Sequence, residues 1–441
     1  MDRPKAGAGD QARPPGAVWR PFVVAAIALA LTGGFAAGGA LLAARWLGVT
    51  PGRWWVAAGQ VHGQVQMLGW VGLMVLGVAL HFLPRLVGAP LRGARLAPVA
   101  LGLIVAGLVL RALCQPLVAA ERGGAWPRGG LLAAAGITLG GVTLAVGMLL
   151  ATLVGPPPPR KRGAVRSVLP LFPVAFGSLW GASALSAWGL LDAARGLGVV
   201  APARDRAIVQ LELYAFLLPV AAAMTARTFP LYFQTHLART RLVTLGVAGI
   251  LGGLALQVPG DLALAGLGRV LRGAALVVLI VALRVWGERR PLPRRPVHWL
   301  RDPLQLLVLS AYAWLAVAAG MSGLTGLRQL GVGVPAIPPD SEWHAVGAGF
   351  ATLLIFGVGA HMIPGFAQRR LRRAALAWAT LVLGNLAALL RVGTSVTGRD
   401  VAALGAVAGV AGLVAVGLFA VNLTGPPRAG PAPRRYCPNG Q

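Results

Sequence analysis

Apolar runs of about twenty residues recur twelve times along this chain, each closed by arginine, proline or glycine, and that recurrence leaves few folds open. A helix needs about twenty apolar residues to cross a hydrocarbon layer roughly 30 Å thick. Within that layer only a helix or a closed barrel satisfies its own backbone polar groups. The runs are too long for membrane β-strands, so the spacing predicts an all-α polytopic membrane protein with the lipid bilayer as its solvent. Composition agrees, with 56% apolar residues and a mean hydropathy of +0.72. The expected spans are 21–45, 61–84, 96–119, 130–154, 168–192, 207–230, 242–259, 262–286, 303–327, 344–366, 374–392 and 401–424. Residues 1–20 and 425–441 read as polar tails flanking a single transmembrane domain, 21–424.

A formal charge of +28 would suit nucleic-acid binding if it lay on one face, but here the cations sit in short loops between apolar runs. Arg85, Arg92 and Arg95 follow the second run, and Arg160, Lys161, Arg162 and Arg166 the fourth. Arg369, Arg370, Arg372 and Arg373 follow the tenth. Positive loops mark the cytoplasmic side. An even number of spans then puts both termini in the cytoplasm, and the localisation expected is a bacterial cytoplasmic membrane, with no nucleic-acid partner. The opposite loops carry most of the acids, among them Glu121, Asp205, Asp340 and Glu342. Cys114 lies inside a span and Cys437 in the tail, too far apart in depth to pair. Most tryptophans, Trp54, Trp55, Trp70 and Trp343 among them, read as interface anchors.

Ionisable residues inside apolar runs are costly and mark sites by default. His62 opens HGQVQMLGWVGLMVLGVALHFLP and His344 opens HAVGAGFATLLIFGVGAHMIPGF, and each run closes on a second histidine, His81 or His361, before a proline. The orientation puts His62 and His344 at the outer face. Their partners lie about 25–30 Å away along the helix at 1.5 Å per residue, so the two histidines of one run have different jobs. Either His81 and His361 are structural, at helix-ending prolines, or they belong to a second metal or haem site.

The runs also repeat. HFLP (81–84), RTFP (227–230) and HMIP (361–364) end the second, sixth and tenth spans, and Arg111, Gln257 and Arg391 follow thirty residues after the first residue of each motif. Three equal spacings argue for three quasi-equivalent four-helix units. Arg111 and Arg391 either meet an anionic partner, which haem propionates would supply, or snorkel to the interface and bond to carbonyls. Glu212, one or two turns inside the sixth span, is the most unusual acid. Its roles could be a protonated carboxyl, a partner for an arginine, or a step on a proton path.

The twelve spans with histidines on the second and tenth resemble subunit I of the haem-copper oxidases and nitric oxide reductases. His62-Gly63 with Met67 and Phe82-Leu83-Pro84, and His344 with His361 and Pro364-Gly365-Phe366, are similar to the segments that carry that family's low-spin haem ligands. Glu212-Leu213-Tyr214 with Pro219 resembles its H-P-E-V-Y segment. The resemblance implies one low-spin haem b on His62 and His344, with Arg111 and Arg391 beside its propionates. It departs at the oxygen-reducing centre. Gln210 stands where a copper-ligating histidine would fall, the seventh span has no histidine, and Glu342 stands at the second haem's ligand position. Copper is therefore not expected there, nor is terminal oxidase activity. Retention of the scaffold without that centre looks more like the NnrS-like membrane haem proteins.

The function implied is electron transfer, redox sensing or nitric oxide response, with an electron-transfer or respiratory protein as partner. A transporter or channel using Glu212, Arg227, Arg111 and Arg391 on the same scaffold is the competing reading, and an accessory subunit of a respiratory complex a third. The orientation has a direct check. Reporter fusions at Arg166 and Glu121 are expected in opposite compartments, and an alkaline-phosphatase signal at Arg166 would invert the topology.

Overall fold

The computed structural model describes residues 18–154, 167–290, 301–397 and 401–427. Lys161, His298, Cys437 and most of both tails lie outside the described residues. The chain is an all-helical membrane bundle: α1 Trp19–Trp46, α2 Arg53–Val87, α3 Ala94–Ala119, α4 Trp126–Leu153, α5 Leu171–Arg195, α6 Pro202–Tyr232, α7 Thr240–Ala255, α8 Leu262–Leu283, α9 Pro303–Gln329, α10 Pro339–Phe366, α11 Ala374–Thr397 and α12 Ala402–Leu423. Among the described residues, eleven of these are long and apolar enough to cross a membrane. The exception is α7. It was expected to run over 242–259 but has 16 residues, because Gln257 bends back to the carbonyl of Gly253 (2.8 Å) and Pro259 lies just beyond.

Three helices form the centre. The spans of α2, α6 and α10 are about two-thirds or more buried, whereas α1, α3, α11 and α12 give most of their surface to the outside. Each central helix widens into a π-helical segment, over Val65–Gly72, Leu211–Leu217 and Ala345–Thr352. Each segment begins sixteen residues before the polar member of the repeated motif, His81, Arg227 or His361. The threefold repeat read from spacing is thus a repeat of backbone geometry. Segments of this kind are rare and gather at functional sites.

In that register Gln64, Gln210 and His344 are equivalent residues, one before each π segment. Gln64 and Gln210 make equivalent contacts too. The Arg111 Nη1 group donates to Gln64 Oε1 (3.3 Å), and Gln210 Nε2 donates to Gln257 Oε1 (3.3 Å). Arg111 and Gln257 are the residues thirty positions after the motif. In the third unit His344 takes the place of the glutamine. Arg391, the third member of the thirty-residue set, donates instead to Asp340 Oδ2 (2.8 Å), one turn earlier on α10.

Between the central helices the packing is aromatic and dry. Trp70 on α2 donates its indole N–H to Thr352 Oγ1 on α10 (3.3 Å) and packs on Phe356 and Phe419. It is buried at the centre of the bundle, so it is not the interface anchor its residue type suggested. Glycine allows a close crossing between α1 and α12, where a Cβ on Gly409 would collide with the Gly39 backbone.

Candidate functional site

His62 and His344 line one cavity of about 410 Å³ enclosed by α1, α2, α6, α10, α11 and α12. The volume lies in the range of sites for small molecules and cofactors. The two imidazoles are close enough to interact electrostatically, and both feel Arg391.

Each ring is held by a backbone carbonyl. The His62 Nδ1 group lies 3.0 Å from the Gly34 oxygen, and the His344 Nδ1 group 2.7 Å from the Asp340 oxygen. A carbonyl only accepts, so in both rings Nδ1 carries the proton and Nε2 keeps its lone pair. The Gly34 carbonyl is available because α1 has its own π segment, Ala30–Gly34, and a ψ of −106° at Gly34 turns its oxygen out of the helical ladder. Gly38, one turn on, has no side chain because the His62 ring fills that space: a Cβ there would lie 2.6 Å from Cε1.

The polar side of the cavity is built around Arg391 and Glu212. Arg391 donates to Asp340 and to Ser395, and Ser395 Oγ donates to Asp340 Oδ2 (3.0 Å), so the guanidinium is fixed at the cavity wall. Glu212 is buried in the opposite wall and accepts from Gln64 Nε2 (2.9 Å).

Arg111 is not among the lining residues. It lies behind the wall, donating through Nε to Gln115 (2.8 Å) and through Nη1 to Ser186 (3.1 Å) and Gln64. It neither snorkels nor bonds to carbonyls. It lies in the chamber between α2, α3, α5 and α6, where Asp205 and Glu212 are the acids close enough to act on it electrostatically. Gln115 passes the network to Gln60, whose amide pairs with both backbone groups of Val200, at 2.8 and 3.0 Å.

His81 and His361 line neither this cavity nor the smaller apolar one, about 100 Å³, that lies inward of Trp70 and Thr352. The His81 ring packs on Phe366 (centroids 4.0 Å apart) and Trp19, and the His361 ring on Tyr232 (4.6 Å) and Phe233. The contacts tie the HFLP end of α2 to the HMIP end of α10, and α10 to the end of α6. Among the described residues no group of three or more His, Cys, Asp or Glu is placed to hold a metal ion.

Where the resemblance would put a second centre, side chains are bonded to each other. Glu342 forms an ion pair with Arg272 Nη2 (2.6 Å) and accepts from the Tyr214 hydroxyl, and the guanidinium lies 4.2 Å from the Tyr214 ring centroid. Arg272 Nε donates to Ser322 Oγ (3.0 Å). Helix α10 divides the two environments, since Asp340 and His344, one turn apart, face the cavity while Glu342 reaches Arg272 on α8.

Asp340, Gln64 and Arg272 were not singled out as site residues in the sequence. Arg272 had a visible signal, because Arg269 and Arg272 interrupt an otherwise apolar run at a spacing that puts both on one helix face.

A scan against protein-family models finds no match, and a search of curated proteins finds none. The fold, however, is shared with solved structures. The chain is similar to a haem-copper terminal oxidase determined as a dimer by electron cryo-microscopy, with a TM-score of 0.69 at 13% identity, over 95% of this chain and 85% of that one. This is the subunit I-like scaffold of the haem-copper oxidases in a polytopic membrane protein. At such low identity the likeness concerns the fold, and the chemistry rests on the residues present.

The Gly38 contact yields a sharp expectation. Gly38→Val would push the His62 ring off the Gly34 carbonyl while leaving both histidines in the chain. Any cofactor held through His62 is expected to be lost or to change its spectrum, with insertion and helical content retained. An unchanged cofactor spectrum in a folded variant would show that the His62 ring position does not matter.

Proposed function

We propose that the protein binds one low-spin haem b, held between α2 and α10 by His62 Nε2 and His344 Nε2, and acts in one-electron transfer or redox sensing. The observation that carries this reading is the pair of carbonyl-fixed imidazoles on one cavity, each with Nδ1 protonated and Nε2 left as a ligand atom. Fixing the second ring nitrogen sets both the tautomer and the ring orientation of a ligating histidine. Bound there, a haem would be held by His62 and His344 and would supply a reversible one-electron couple.

The residues around the cavity fit the rest of that group. Arg391, fixed by Asp340 and Ser395, offers a cation for a propionate at the histidine end. Arg111 stands one side chain further back and acts on the cavity through Gln64. Glu212 holds a carboxyl at the wall and so can bind a proton near the cofactor. Trp70, Met67 and Phe35 supply apolar surface that keeps water out.

Copper beside a second haem is not part of this reading. Gln210 is bonded to Gln257, Glu342 to Arg272 and Tyr214, and α7 offers no imidazole. One carboxylate and an amide are not the imidazole set that copper requires. The chemistry fits an NnrS-like membrane haem protein with a part in nitric oxide response better than a terminal oxidase. The partner would be an electron-transfer or respiratory protein at the cytoplasmic membrane of a bacterium. A transporter using Arg111 and Glu212 is less well supported, because both side chains are engaged in a closed hydrogen-bond network.

His62→Ala and His344→Ala are each expected to abolish the low-spin b-type absorption of the dithionite-reduced protein, with membrane insertion unchanged. His81→Ala and His361→Ala are expected to leave the spectrum in place and to lower stability by about 1–3 kcal/mol through lost packing. Retention of the full low-spin spectrum in both His62 and His344 variants would refute the ligand assignment.

A further inference from the structure

The chamber between α6, α8, α9 and α10 carries more positive charge than its own side chains neutralise. Arg269 and Arg272 lie three residues apart on α8, at 8% and 1% exposure. A guanidinium donates only and stays charged in proteins. Glu342 is the acid beside them, and it pairs with Arg272. Among the described residues Arg269 makes no ion pair, and besides Glu342 and Tyr214 its charged neighbours are two more arginines, Arg272 and Arg206. Arg206 is exposed and solvated, so the buried excess is one positive charge.

Two buried donors three residues apart on α8 have no hydrogen-bond partner: Arg269 Nε and Arg272 Nη1. Arg272 is already anchored on two sides, through Nη2 to Glu342 and Nε to Ser322, so its Nη1 group is held in place by those bonds. Buried polar groups are almost always satisfied, and such a set points to a bound water or ion. Water would satisfy the hydrogen bonds but leave the charge uncompensated inside the membrane, where it is costly.

We propose that Arg269 and Arg272 bind a small monovalent inorganic anion of chloride or nitrite size. Its single charge matches the one excess cation. The site lies across α10 from the histidine cavity, so it does not depend on the haem assignment.

The test uses the full-length protein purified in detergent and exchanged into gluconate. Titration with chloride, bromide or nitrite is expected to raise the Tm saturably, by about 2–4 °C. Sulfate, divalent and larger, is expected to give no saturable rise. Arg269→Gln keeps a polar side chain but removes the excess charge, and it is expected to abolish the rise. If that variant does not fold, the wild-type protein still decides: bromide anomalous scattering is expected to give a peak between Arg269 and Arg272. No saturable response in the wild type, an equal response in Arg269→Gln, or bromide only at other positions would overturn the proposal.

Discussion

A guanidinium inside a membrane must be neutralised or hydrogen-bonded, and the interior of this bundle is arranged around that requirement. Arg111, Arg272 and Arg391 each sit at the histidine end of a different helix group, and each is answered by side chains from a central helix. Around Arg111 the bonds run to the glutamines of α2 and α3, and around Arg272 to the carboxylate of α10, which also accepts from the phenol of α6. The third differs because Arg391 is drawn to the edge by Asp340, and the interior beside it is left as a cavity walled by two imidazoles.

The same backbone device underlies all three. Widening α2, α6 and α10 at equivalent positions sets the side chains just before each π segment, Gln64, Gln210 and His344, at one level. Two of these bond to the residue thirty positions after the motif and seal their chamber. The third is a histidine whose Nδ1 turns back to its own helix, leaving Nε2 for a ligand. One scaffold position thus carries either a glutamine that packs across to the next helix or a histidine bonded through Nδ1 to its own helix. At 13% identity the chain keeps the fold of the oxidase structure, and within that fold an ion pair joins Glu342 to Arg272.

Much of this was legible in the sequence. Apolar length placed eleven spans and the arginine loops separated them, since both follow from transfer energies that act residue by residue. Spacing of HFLP, RTFP and HMIP found the repeat, and His62 and His344 do share a cavity. The π segments were not legible, because VQMLGWVG, LELYAFL and AVGAGFAT have no common residue pattern and differ from α-helix only in hydrogen-bond register. The partners of Arg111 and Glu212 were hidden for a related reason. Which glutamine of α2 meets which residue of α3 or α6 depends on rotation and depth, and one residue of shift changes both. The length of α7 was misjudged because its last turn is ended by a side-chain bond from Gln257, an effect that hydropathy does not register.

The central claim is that one of three quasi-equivalent chambers holds a haem and the other two hold none. Haem content per polypeptide, measured as the pyridine haemochrome against quantitative amino-acid analysis of the purified protein, tests it most directly. One haem b per chain, with copper below stoichiometric level, is the result expected. Two haems per chain would mean that the Arg272 chamber opens to admit a cofactor, and none after expression with ample haem supply would mean that the histidine cavity serves another ligand.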